Sequence, residues 1–287
     1  MRRTILIRAT GIGLALLGAL AAYTQAPAGG QGTSKAPAAL TLIKVADDLY
    51  DLEGSGGNVG IYITDEGVIL VDDKFEQDYD QILASVRKLT NQPVKYVINT
   101  HHHGDHSGSN AKMLASGIEV LLHKNARKNM VDGKMPGTPR VAFADQLQVV
   151  LGGKEVMVRH YGRGHTNGDV VVFFPARRAI HTGDLFVASD PLIDYSASGS
   201  MGDWPRTLDQ VLANDFDTVI PGHGPLSKKA DLAAFRDRMK TMADKARQQV
   251  QSGKTKAQLR EYMVTNYGWG DMQDRIGEVD GMLAEFK

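Results

Sequence analysis

Residues 100–108, Thr-His-His-His-Gly-Asp-His-Ser-Gly, constrain this chain more than any other segment. Four imidazoles and one carboxylate crowd into positions 101–106, directly after the apolar stretch Val94–Ile98. A short apolar stretch that follows Pro93 and ends in a polar turn reads as a buried β-strand. The cluster therefore sits where a loop leaves the carboxyl end of a sheet, the usual home of an α/β active site. His101 and His103, two apart on an extended segment, point to one side and can chelate one ion. Asp105 and His106 face a neighbouring position. Imidazole with carboxylate is a ligand set for zinc, iron or manganese. A surface His-rich tract that binds metal adventitiously is the bland alternative, and it leaves the later candidate ligands unexplained.

Those later candidates matter because the chain has no cysteine. Disulfides, thiolate nucleophiles and thiolate metal ligands are all excluded. A metal here must be held by nitrogen and oxygen, which points to a catalytic site and away from a structural zinc finger. Three more segments qualify: His165 in the glycine-rich turn Gly162–Asp169, Asp184 in His181-Thr-Gly-Asp, and His223 in Pro221-Gly-His-Gly224. Each alone is ordinary, since histidine and Gly-Asp are common in turns. All of them sit at strand ends in glycine-rich bends, which argues for one shared purpose.

The rest of the chain supplies the frame. A strand-like segment spans Leu40–Leu52, and Val59–Thr64 with Val68–Val71 reads as a hairpin around Asp65-Glu66-Gly67. Helical spacing marks 77–89, and a helix is expected over 108–116. A strand at 119–122 follows, and 130–140 reads as an exposed Gly/Pro loop. Strands at 147–151, 155–160, 170–174 and 179–182 precede a helix at 205–212 and a last short strand at 218–220. Beyond Ser227 the chain is helical, with further helices expected over 256–265 and 272–286. Strands interleaved with helices predict an α/β sandwich, not a bundle or a barrel. No short-period repeat is visible.

The amino terminus reads as an export signal. Arg2, Arg3 and Arg8 flank an apolar run from Ala9 to about Tyr23, too short to span a bilayer comfortably. The expected organisation is a signal peptide over 1–28, a flexible linker over 29–39, a catalytic domain over 40–225 and C-terminal helices over 226–287 packed on that domain. Export implies a periplasmic or secreted bacterial protein with no stable membrane association after cleavage. An uncleaved anchor is the alternative, and Arg2-Arg3 leaves the export route open between the general and twin-arginine systems. Lys+Arg and Asp+Glu are both 33, so no global field recruits nucleic acid or an anionic membrane. The expected partner is a small molecule.

His101-x-His103-x-Asp105-His106, followed in order by His165, Asp184 and His223, resembles the metallo-β-lactamase superfamily. The resemblance covers about residues 40–225. It implies a four-layer αββα sandwich with extra C-terminal helices, and a site between the two sheets. Carried over residue by residue, His101, His103 and His165 hold one ion. Asp105, His106 and His223 hold the second, and Asp184 bridges both. Two zinc ions are implied, about 3.5–4 Å apart and sharing a water whose pKa they lower. Asp105 is then the catalytic residue that orients the attacking hydroxide. The class B lactamases of this family usually carry a cysteine in the second site, where this chain presents Asp184 and resembles glyoxalase II and lactonases instead. The implied reaction is cleavage of an acyl C–N, C–O or C–S bond in a lactam, lactone or thioester. A mononuclear iron enzyme resembling persulfide dioxygenases is the alternative on the same fold.

Outside the ligands, the loop 188–204 offers Asp190, Tyr195, Ser200 and Trp204 as substrate contacts, with Tyr195 as a donor to a developing oxyanion. A plain connecting loop is the competing reading. Gly54–Asn58 is a candidate flap over the site. His102 and His181 read as supporting residues with no catalytic part, and His123 and His160 as ordinary strand-end residues.

Overall fold

The structure, a computed structural model, describes residues 39–270 and 277–287. The expected signal peptide and nearly all of the expected linker lie outside the described residues, as does the start of the expected final helix. Thirteen strands are named among the described residues, in two sheets. The first sheet holds β1 (Thr41–Lys44), β2 (Leu49–Glu53), β3 (Val59–Ile63), β4 (Val68–Val71), β5 (Val94–Ile98), β6 (Glu119–His123) and β7 (Val141–Phe143), in that spatial order. Its first four strands run antiparallel, and β4 to β7 run parallel. The second sheet holds β8 (Gln146–Leu151), β9 (Lys154–Arg159), β10 (Val171–Phe174), β11 (Ala179–His181), β12 (Thr218–Ile220) and β13 (Ser227–Lys228), ordered 13-12-11-10-9-8.

Side-chain alternation along these strands explains the layers. Ile69, Val71 and Ile98 turn inward to meet Val170, Val172, Phe174 and Ile220 of the other sheet. Their neighbours Val68, Leu70 and Val97 turn outward onto Ile82, Val86 and Met113. Ile82 and Val86 belong to α1 (Tyr79–Leu89), and Met113 to α3 (Asn110–Ala115). On the second sheet, Val171, Phe173, Ile180 and Val219 turn outward onto a larger apolar cluster. That cluster is built from α5 (Trp204–Leu212), α6 (Lys229–Gln251), α7 (Lys256–Tyr267) and α8 (Glu278–Phe286). Both faces of each central strand are buried, so those strands read as unbroken apolar runs. The result is the expected αββα sandwich with helices beyond it.

Local differences from the sequence expectation have physical causes. The single strand expected over 40–52 is two, because the Val45 and Ala46 N–H groups both donate to the Leu49 carbonyl and turn the chain. Part of the expected exposed loop at 130–140 is helical. It begins inside α4 (Lys124–Asp132), which is anchored by the buried Ala126 and Met130. A short helix, α2 (Gly104–Ser107), forms within the histidine cluster itself. No helix among the described residues is long and apolar enough to cross a membrane.

Candidate metal centre

The site lies at the carboxyl ends of β4, β5, β11 and β12, joined by the turn that precedes β10. Parallel pairing of β4 with β5 brings Asp72 beside Thr100, and parallel pairing of β11 with β12 brings Asp184 beside the 221–224 turn. Asp72 and Lys74 adopt left-handed backbone, with φ of 66° and 56°. Non-glycine residues in that region are uncommon and cluster where function over-determines the backbone. Close approach demands glycine at two places. A Cβ at Gly57 would fall 2.1 Å from His106 Cε1, and one at Gly222 would fall 2.0 Å from Asp184 Oδ1.

All seven expected metal ligands converge. His165 Nε2 is 2.8 Å from His103 Nδ1, and the His101 ring centroid is 4.8 Å from each of those two rings. Asp105 Oδ2 is 3.2 Å from His223 Nε2, which lies 3.3 Å from His106 Nε2. Asp184 stands between the two groups. Its Oδ1 is 3.1 Å from His106 Nε2 and 3.4 Å from His223 Nε2, and its Oδ2 is 3.6 Å from His165 Nε2.

The hydrogen bonds behind these residues fix which nitrogen carries the proton. His165 Nδ1 faces the Leu192 carbonyl at 2.6 Å, and His103 Nε2 faces Asp194 Oδ2 at 2.9 Å. His106 Nδ1 faces Asp72 Oδ2 at 2.7 Å. The Thr100 hydroxyl donates to Asp72, so the same oxygen accepts from His101 Nδ1 at 3.1 Å. Every one of those partners is an acceptor, so the nitrogen facing it is the protonated one. The other nitrogen of each ring faces the shared space: those of His101, His103 and His165 present a lone pair there, and that of His106 lies 3.1 Å from Asp184, which draws a proton to it until a metal takes its place. His101 Nε2 and Asp184 Oδ1 are buried there without a hydrogen-bond partner. Two lone pairs at 2.8 Å, with carboxylates beside them, are stable only around a positive charge. The donor set therefore fits metal ions, and four clusters of three such residues occur here, three of them drawn wholly from the seven.

The charges agree. Burial, with the neighbouring imidazoles, holds His101 well below its ordinary pKa and His165 at about 4. Burial also opposes protonation of His106 and His223, yet Asp184 with Asp72 raises the first well above its ordinary value. Asp105 and Asp184 raise the second to about 9. Against the pull of burial, its histidine neighbours hold Asp184 far below the usual carboxylate range and Asp105 at about 2.

A cavity of about 660 Å³ opens onto the centre, walled by Val187, Ser189, Asp190, Leu192 and Ser196 together with the ligands. Of the expected substrate contacts, Asp190 lines it and also pairs with Arg238. Trp204 does not: it is fully buried and donates its indole N–H to the Leu185 carbonyl. Tyr195 and Ser200 turn away as well, both donating to Glu285. Gly54–Asn58 is a fixed bracket instead of a flap. The buried Lys74 ammonium donates to the carbonyls of Ser55 and Gly57, and Asn58 Nδ2 donates to those of Pro221 and Gly224 on either side of His223. His181 sits behind that bracket, bonded to the Asn58 carbonyl and the Gly183 N–H. His123 and His160 stack on each other at 4.1 Å, away from the centre.

The Metallo-beta-lactamase superfamily model matches residues 52–223, which contain every one of these ligands. The chain belongs to the metallo-β-lactamase superfamily. It is a metal-dependent hydrolase. Metallo-beta-lactamase IND-1 of Chryseobacterium indologenes is 31% identical over 167 residues, covering 56% of this chain and 69% of that one. The 2,4-dinitroanisole O-demethylase subunit alpha of a Nocardioides species is 29% identical over 168 residues, covering 55% of this chain and half of that protein. Among solved structures, the metallo-beta-lactamase from Pontibacter korlensis superposes with a TM-score of 0.65 at 23% identity, over 70% of this chain and 98% of that one. The family match stops at His223, so α6, α7 and α8 lie beyond it.

Three residues important to the site escaped the sequence reading: Asp72, Asp194 and the carbonyl of Leu192. The acidic cluster Asp72-Asp73 at a strand exit was the one available signal for the first. Nothing local marks the other two.

Proposed function

We propose that this protein is an exported hydrolase with two zinc ions, acting on a small acyl compound at a C–N, C–O or C–S bond. The periplasm or the exterior is its proposed location. The observation that carries the reading is the convergence of four imidazole nitrogens, each with its opposite ring nitrogen held by an acceptor, on one space shared with Asp184. His101, His103 and His165 would hold one ion, Asp105, His106 and His223 the other, and Asp184 both. When bound, such a pair supplies Lewis acidity and lowers the pKa of a bound water toward neutrality.

The chain's own residues do the remaining work. Asp105, anionic at neutral pH and on the cavity wall, would accept a hydrogen bond from the attacking water or hydroxide and so orient it. Val187 and Leu192 offer an apolar wall to the acyl part of the substrate, and Ser189 and Ser196 offer hydroxyl donors. A cavity of this size suits a compound of drug-like dimensions. The lactam branch of the proposal is supported by the name of the Chryseobacterium relative. The lactone and thioester branches are supported by an aspartate at position 184 in a chain without cysteine.

The test is to purify the protein and measure metal content and turnover together. A chromogenic cephalosporin, simple lactones and an acyl-glutathione thioester form the panel. About two zinc ions per chain, with chelator-sensitive hydrolysis of one panel member, is the expected result. One iron per chain and no hydrolysis would overturn it in favour of oxygen chemistry on sulfur compounds.

A further inference from the structure

The last helix, α8, turns two different faces to the molecule. Val279, Met282 and Phe286 enter the apolar cluster on the second sheet. Glu278, Gly281 and Glu285, at i, i+3 and i+7, share one side of the helix, and that side meets the loop 192–202. Glu278 is fully buried and accepts from the Ile193 N–H. Glu285 accepts from the Tyr195 hydroxyl at 2.8 Å, from the Ser200 hydroxyl, and from the N–H groups of Met201 and Gly202 at 3.2 and 3.1 Å. Gly281 lies flat against the Tyr195 ring, where a Cβ would fall 2.0 Å from Cδ2.

The loop so gripped carries Leu192 and Asp194, whose oxygens hold His165 and His103. Ile193, the residue that Glu278 grips, stands between them. Cohesion alone would be served better by an apolar residue at 278, because an enclosed carboxyl loses its hydration for a single donor. Burial indeed pushes Glu278 up to about 8, with Glu278 Oε2 left without a partner. The two acidic side chains make sense as acceptors that grip a particular backbone.

We propose that α8 is a positioning element of the metal centre. Through Glu278, Gly281 and Glu285 it fixes the loop, and through Leu192 and Asp194 it sets the imidazoles of His165 and His103. The opposite group, Asp105, His106 and His223, has no such dependence. This rests on the zinc-centre reading above, and it places the device outside the stretch that the family match covers.

The experiment compares the parent protein with Glu285→Gln, Glu278→Leu, Gly281→Ala and Tyr195→Phe. Affinity for each of the two zinc ions is read by competition with a chromogenic chelator, and folding by circular dichroism in excess chelator. Partners behind a ligand typically change metal affinity by 10–100-fold, so one layer further out a loss of roughly 10-fold is expected for one ion and none for the other. Gly281→Ala is the sharpest variant, because alanine is the better helix former and only its contact with Tyr195 is harmful. Tyr195→Phe deletes one hydrogen bond and keeps the ring, so it remains informative if a helix variant fails to fold. Unchanged affinity for both ions in folded variants would overturn the inference, as would equal weakening of both. Failure of the zinc-centre reading would show in the parent itself, before any variant is compared.

Discussion

His106 and His101 lean on Asp72, at the exit of a central strand and fully enclosed. His103 and His165 lean on Asp194 and Leu192, in a loop on the cavity wall. One half of the centre is thus fixed by the fold itself, and the other by a segment that the fold has to hold in place. The electrostatics divide the centre along a second line, between the two expected ion sites. His106 and His223 sit among carboxylates that raise them, whereas His101 and His165 are kept low by burial and by other imidazoles. Two groups of similar composition can therefore differ in rigidity and in the state in which they await a metal.

The largest effect should come from the residue that joins the halves. Asp184→Ala removes the carboxylate facing both groups, and zinc content measured by elemental analysis should fall from about two per chain to below one. Unchanged stoichiometry would show that the halves are independent. Next comes a contrast between the two supports. Asp72→Ala removes a buried acceptor that takes three hydrogen bonds, and should cost at least ~3 kcal/mol in urea unfolding at ~1–3 kcal/mol per unsatisfied group. Asp194→Ala also removes three hydrogen bonds, from His103, Ser196 and the Ala197 N–H, but from a partly exposed loop where water can replace them, so it should cost less metal-free stability than Asp72→Ala and weaken one ion by roughly 10–100-fold. Equal unfolding costs for the two variants would erase the distinction.

The smallest effect is in protons. A histidine raised to about 9 is charged at neutral pH and must lose its proton to bind a metal, whereas one lowered to about 4 has none to lose. The ion held with His106 and His223 should release protons on binding and weaken as pH falls below about 9. The ion held with His101 and His165 should release almost none near pH 7. Zinc titrations by calorimetry, in buffers of different ionisation enthalpy, separate the two. Equal release from both steps would break the comparison.

How much of this was legible follows the same division. The ligands could be read because His101 to His106 are neighbours in sequence and the others mark strand exits with glycine. An α/β sandwich could be read from strand and helix periodicity, whereas its four layers were implied by the family resemblance. Asp194 could not, since its tie to His103 spans 91 positions and exists only through space. Helix α4 was obscured because only Ala126 and Met130 anchor it, two apolar residues in a polar segment. Trp204 and Tyr195 misled for another reason. Aromatic residues near a site suggest contact with a ligand, but here their rings fill the core under the loop and their polar tips are satisfied within the protein.

Burial of both faces of the central strands also bears on how this chain behaves before it folds. Val68–Val71 and Val170–Phe174 are uncharged and rich in β-formers, the kind of segment that pairs with copies of itself when exposed. Charged residues that interrupt such segments slow that self-association. Here Asp72, Asp73 and Lys74 follow the first and Asp169 precedes the second. Residues beside the centre in the folded protein thus also stand where charge opposes self-association of the unfolded chain. A substitution such as Asp72→Ala can therefore lower the yield of soluble protein as well as disturb the centre.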